Sequence, residues 1–139
     1  MNQEIDRWLD NPYLETLAFF SVAVLALIVF LAVFELVTRY KGWEEIKKGN
    51  VAVAMAVCGK IFGICNIFRF AILMDVGVYE SLLWAGFGFI LLMLAYLVFE
   101  FMTPYFNIDA EIEKDNRAVG LISMFISIAM SYIVGAGIS

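Results

Sequence analysis

Three stretches of this chain, Leu17 to Phe34, Ser81 to Phe99 and Ala118 to Ser139, contain no charged residue. Each approaches or exceeds the roughly 20 residues that about 30 Å of hydrocarbon demands of a helix. With 63% hydrophobic and 17% charged residues, the chain lies far from the balance of a soluble domain. All three stretches are expected to span a bilayer. The run from Leu17 is too long for a secretory leader, and its flank of Glu4, Asp6, Arg7 and Asp10 is acidic where a leader is basic. It is expected to stay in the mature protein.

A fourth block, Val51 to Met74, is interrupted by Lys60, Asn66 and Arg69, and its longest uncharged run is Val51 to Gly59. Hydropathy alone does not decide it; internal similarity does. An offset of 65 residues aligns Phe34, Glu35, Thr38 and Tyr40 with Phe99, Glu100, Thr103 and Tyr105. After one inserted residue, an offset of 66 aligns Ile46, Lys48, Asn50, Ala52 and Val53 with Ile112, Lys114, Asn116, Ala118 and Val119. Chance similarity between apolar segments rarely keeps Glu, Thr, Tyr, Lys and Asn in order. The pattern reads as a tandem duplication of a two-helix unit, about 14–74 and about 79–139, within a single integral membrane domain, 1–139. Two helices per unit make both units enter the membrane in the same direction, so the repeats are expected to be related by a pseudo-twofold axis along the membrane normal. The expected fold is all-α with four transmembrane helices.

Arg39, Lys41, Lys47 and Lys48 in one long loop, and Lys114 and Arg117 in the other, outweigh Arg7 on the opposite side. The positive-inside rule then makes both long loops cytoplasmic and both termini external. The outer face carries Glu4, Asp6, Asp10, Glu15, Asp75 and Glu80, and plain solvation accounts for that acidity. Asn11 before Pro12 reads as cap and first turn of the first span. WEEIKK before Gly49 and DAEIEK before Asp115 read as short helices lying on the membrane surface, and Asn50 and Asn116 as caps of the spans that follow.

Four charged residues fall within or at the edge of the spans. Glu35 and Glu100 sit about three residues inside the cytoplasmic boundary, roughly 4 to 5 Å deep. They accept hydrogen bonds from a neighbouring element, or form a carboxylate pair that binds a proton or cation. Lys60 lies ten residues past Asn50, about 15 Å deep, where an unpaired lysine costs roughly 2.5 to 3.5 kcal/mol. Pairing with Glu35 or Glu100 along its long stem is one account, and a polar cavity through the bundle is the other. Arg69, nine residues further and half a helical rotation away, is expected to snorkel outward or meet Asp75.

Ala52, Ala56, Gly59 and Gly63, followed by Asn66, share one helix face that lets two backbones approach closely, within the bundle or between protomers. Ser123, Ser127 and Ser131 make a polar seam on the last span. Cys58 and Cys65, seven residues apart, lie about 10 Å apart on a helix, too far for a disulfide, and are expected to be packing residues. The chain has no histidine, no glycine-rich phosphate loop and no nucleophile beside a base. No catalytic residues, metal or cofactor are therefore expected, and no basic patch suggests nucleic acid.

GNVAVAMAVCGKIFGI, its weaker echo DNRAVGLISMFISIA and the two tandem units resemble the small inner-membrane proteins of domain-of-unknown-function family 350, also grouped as uncharacterised protein family 0719. The resemblance runs from about Leu14 to the end and is carried by Gly49, Asn50, Ala52, Ala54, Gly59 and Gly63. It implies a multi-pass protein of the bacterial cytoplasmic membrane with four spans and supplies no activity. Lys60 and Arg69 depart from the family pattern, in which small, polar or apolar residues are expected there. The chain therefore reads as a non-enzymatic, oligomeric or accessory subunit whose partners are the bilayer and either a second copy or another membrane protein. The alternative is a small transporter or channel component for protons, cations or a small solute, using Glu35, Lys60 and Glu100.

Overall fold

The computed structural model describes residues 2–105 and 107–138. The chain forms α1 (Asn2–Leu9), α2 (Pro12–Val37), α3 (Gly42–Lys47), α4 (Val51–Leu73), α5 (Val78–Phe101), α6 (Ile108–Glu113) and α7 (Arg117–Ile138). Four of these, α2, α4, α5 and α7, are long and apolar enough to cross a membrane, and α4 completes its span despite Lys60 and Arg69. Short α3 and α6 sit together at one end of the bundle, called here the α3/α6 end.

Local chemistry sets the helix starts. Asn11 Oδ1 accepts the Tyr13 N–H at 3.0 Å, and Pro12, which has no N–H to lose, takes the first helical position. Asn50 Oδ1 accepts the Val53 N–H at 3.0 Å, and the Asn116 Oδ1 accepts that of Val119 at 3.4 Å. The turn before α4 needs Gly49 at φ 88°, a backbone state that costs a glycine little. The turn before α7 puts Asp115 at φ 62°. Asp115 Oδ1 accepts the Ala52 N–H at 2.9 Å, so the second corner satisfies a first-turn donor of α4. The N-terminal helix α1 was not foreseen from the sequence.

α4 is the central helix, with 56% of its apolar stretch buried against 6% for α2, so α2 leaves most of its surface facing out of the bundle. Its closest neighbour is α7. A Cβ added at Gly59 would stand 2.7 Å from Met124 Cα, and one at Gly120 would stand 2.7 Å from the Ala52 carbonyl oxygen. At Gly63 the nearest backbone atom, the Ser127 carbonyl oxygen, would be 3.3 Å away. Backbones therefore touch along the whole crossing, where van der Waals packing rather than the hydrophobic effect holds helices together in lipid. The small-residue face Ala52, Ala56, Gly59, Gly63 packs inside the chain, so of the two contacts its spacing allowed, the structure shows the one within the bundle. Buried Ser123, Ser127 and Ser131 lie on the facing side of α7, and Asn66 Nδ2 donates to Ser131 Oγ at 3.0 Å. Cys58 and Cys65 are exposed rather than packed, because their positions turn away from that face.

α2 and α5 are joined by aromatic rings. Phe30 stacks on Phe89 with centroids 4.2 Å apart, and Phe34 meets the edges of Phe89 and Tyr96 at 5.3 and 6.1 Å. The surface reading of α6 also needs correction. Ile108, Asp109 and Ile112 are almost wholly buried, because the i, i+4 isoleucines seal against α4 and α7 instead of lying flat on the headgroups.

Candidate functional site

The buried polar groups of the α3/α6 end converge on Lys60, which is 3% exposed. In a helix each Cα–Cβ bond tilts toward the N-terminus, and α4 begins at this end. The stem of Lys60 accordingly runs back toward the loop after α2 rather than deeper into the bilayer. Its Nζ donates a hydrogen bond to Tyr40 Oη at 3.3 Å. Phe34, Tyr40 and Tyr96 surround it with ring centroids 5.2, 5.4 and 5.3 Å away. Cation–π attraction from three desolvated rings, each worth about 0.5 to 2 kcal/mol, offsets much of the burial cost.

The expected ion pair with Glu35 or Glu100 is not made: among the described residues, the ion pairs join other groups. Each glutamate sits within a turn of its helix's end, where its side chain reaches the edge of the bundle more easily than the ammonium. The counter-charge that sequence reasoning missed is Asp109, 1% exposed, on α6. Asp109 Oδ1 accepts a short hydrogen bond from Tyr96 Oη, and Oδ2 accepts the Arg39 backbone N–H at 3.1 Å. Asp109 is within electrostatic range of Lys60, with Glu35 second. Lysine and aspartate thus face each other through two tyrosines. Burial pushes the Tyr40 phenol well above its ordinary range, and the nearby carboxylates of Asp109 and Glu100 add to the effect. Tyr40 therefore remains a neutral hydroxyl that accepts from the ammonium.

Arg69 has no part in this cluster. It is exposed, with its guanidinium 5.3 Å from the Phe70 ring centroid, on the side of α4 away from Lys60. Of the four charges that the sequence offers as a possible intramembrane network, Glu35, Lys60, Glu100 and Arg69, the last therefore stands apart. Asn50 does more than cap. Its Nδ2 donates to the carbonyls of Ile112 and Glu113 at 3.2 and 2.9 Å, fastening the end of α6 to the start of α4.

Beside Lys60 a crevice of about 20 Å³, lined by Glu35, Thr38, Tyr40 and Trp43, is large enough for a water molecule. Among the described residues no three His, Cys, Asp or Glu side chains converge as metal ligands. The cluster can fix a charge and tie elements together: the α2 end and the following loop through Phe34, Arg39 and Tyr40, α4 through Lys60, α5 through Tyr96 and α6 through Asp109. Of the three cage rings, Phe34 and Tyr40 carried a signal in the sequence, since they recur as Phe99 and Tyr105.

A family model described as Domain of Unknown Function (DUF350) matches residues 8–138. The chain is 54% identical over 133 residues to a UPF0719 transmembrane protein, YshE, of Bacillus subtilis (strain 168), which covers 96% of this chain and 98% of that protein. It is 24% identical over 104 residues to a UPF0719 inner membrane protein, YjfL, of Escherichia coli (strain K12), covering 75% of this chain and 77% of that one. No solved structure matches it.

Proposed function

The chain belongs to the DUF350 family, and on that premise we propose that it is a non-catalytic accessory subunit of the bacterial cytoplasmic membrane. The observation that carries this reading is the enclosure of Lys60. Its aromatic cage and the Asp109 contacts draw side chains from four elements into one clamp at the α3/α6 end. The clamp holds α6 and the loop after α2 in fixed positions, which suits a face that presents a constant surface to another protein. Because the small-residue face is used within the chain, a second copy or a membrane partner meets it on the outer sides of α2 and α5.

We further read the chain as two tandem units about a pseudo-twofold axis along the membrane normal. Support comes from equivalent backbone bonds at the offset of 66: Asn50 N–H to Glu45 O and Asn116 N–H to Glu111 O, at 3.0 and 2.9 Å, and Gly49 to Ile46 and Asp115 to Ile112, at 2.9 and 3.0 Å. The central pairing of α4 with α7 fits such an axis. Lysine and arginine counts orient the α3/α6 end toward the cytoplasm. With Cys58 and Cys65 first replaced by serine, a cysteine at Tyr79, 84% exposed, should react with an impermeant maleimide added to intact cells, and one at Lys47 should not. The opposite labelling would reverse the orientation.

A second reading, a small transporter or channel component, rests on the crevice that brings Glu35 beside Lys60. Two measurements separate the readings. Purification of the full chain from native membranes after crosslinking should yield a co-purifying membrane protein or a second copy in fixed ratio, while proteoliposomes should pass protons and cations no faster than empty vesicles. Flux that disappears in Lys60→Met would favour the transporter.

A further inference from the structure

A second cleft at the α3/α6 end, of about 450 Å³, is lined by Arg39, Leu97, Glu100, Phe101, Thr103 and Asn107. It sits where α5, a helix long and apolar enough to cross a membrane, ends at Phe101. Its floor is apolar, with Leu97 42% and Phe101 87% exposed, and its walls are charged. Arg39 and Glu100 lie within electrostatic reach of each other, yet among the described residues the ion pairs join other groups. A guanidinium and a carboxylate that share a cleft without closing on one another leave room for a group carrying both opposite charges.

We propose that this cleft binds the headgroup of an ethanolamine phospholipid. The phosphate meets the Arg39 guanidinium, a fork of donors matched to phosphate oxygens, with the Asn107 side-chain N–H group on the same cleft, while Thr103 donates its own hydroxyl to the Phe99 carbonyl at 2.9 Å. The primary ammonium donates to the Glu100 carboxylate, and the first methylenes of an acyl chain cover Leu97 and Phe101. Choline offers no N–H to Glu100, and glycerol offers no cation, so ethanolamine is the headgroup that satisfies both walls. The apolar floor selects the membrane lipid over a free phosphoethanolamine. Glu100 thereby gains a role separate from that of Glu35, which lines the crevice at Lys60.

The test reconstitutes the full chain into vesicles of equal parts phosphatidylethanolamine, phosphatidylcholine and phosphatidylglycerol, releases it gently and quantifies bound lipid by native mass spectrometry. The ethanolamine lipid should be enriched about tenfold over the choline lipid, the factor expected for one charge-assisted hydrogen bond. Glu100→Gln should erase that preference, and Arg39→Gln should lower retention of every phospholipid. The Arg39 backbone N–H that binds Asp109 survives in the second variant, so its fold is held independently of the guanidinium. Equal retention by the unaltered chain, or an unchanged ethanolamine preference in Glu100→Gln, would overturn the proposal. Displacement of the lipid by soluble phosphoethanolamine would overturn the choice of a lipid.

Discussion

Replacing Gly59 with leucine should pull α4 away from α7 and cost about 3 kcal/mol, a loss of roughly 6–12 °C in the thermal midpoint for a chain of this length. The cause is steric. A Cβ at Gly59 already falls 2.7 Å from Met124 Cα and 2.9 Å from the Met124 carbonyl oxygen, and backbone cannot swing aside as a flexible side chain can. Relief requires the two helices to separate, which forfeits the close contact along Ala52, Ala56 and Gly63. An internal control is built in: a Cβ at Gly86 on α5 meets nothing within 4 Å, so Gly86→Leu should melt within a degree or two of the unaltered chain. Circular dichroism melts of the two variants check the contrast, and equal midpoints would place the Gly59 face against lipid.

The other large effect is expected at Asp109. Asp109→Asn keeps the size of the side chain but removes the charge that faces buried Lys60 through Tyr40 and Tyr96. The two charges are separated by the tyrosines rather than in contact, so the loss is that of weakened buried polar contacts, about 1 to 3 kcal/mol, below that of breaking a direct buried ion pair. Asp109→Asn should therefore be destabilised, with α6 loosened from the bundle and Asn50 losing its carbonyl partners on Ile112 and Glu113. Lys60→Met should be tolerated better. Methionine is apolar and flexible enough to fill the space among three rings, and the Asp109 carboxylate retains two hydrogen-bond donors, from Tyr96 and Arg39.

The four spans were legible because hydropathy and internal similarity are long-range statistical signals that survive local exceptions such as Lys60. The caps at Asn11, Asn50 and Asn116 were legible because capping is a property of a few consecutive residues. The close face on α4 was visible as spaced small residues, but its partner was not: nothing in Ala52, Ala56, Gly59 and Gly63 says whether the opposing helix belongs to the same chain. Lys60 was found as an anomaly and given the wrong counter-charge. Glu35 and Glu100 stood out because they end apolar runs, whereas Asp109 sits in DAEIEK among other acids and looks solvated. Its burial depends on α6 turning Ile108 and Ile112 into the bundle, which only the folded chain reveals. The aromatic cage was invisible for a related reason: Phe34, Tyr40 and Tyr96 come from three places in a chain whose aromatic residues are common, and proximity in space leaves no mark on their spacing.

Lys60 is held by its cage and by Asp109 across the two tyrosines, rather than by the glutamates. The most direct measurement is a pair of double-mutant cycles in thermal or denaturant stability, Lys60→Met with Asp109→Asn and Lys60→Met with the double change Glu35→Gln, Glu100→Gln. A coupling of about 1 kcal/mol or more is expected in the first cycle, with Lys60→Met rescuing Asp109→Asn, and a clearly smaller coupling in the second. Additive losses in the first cycle, or a larger coupling to the glutamates, would contradict that arrangement.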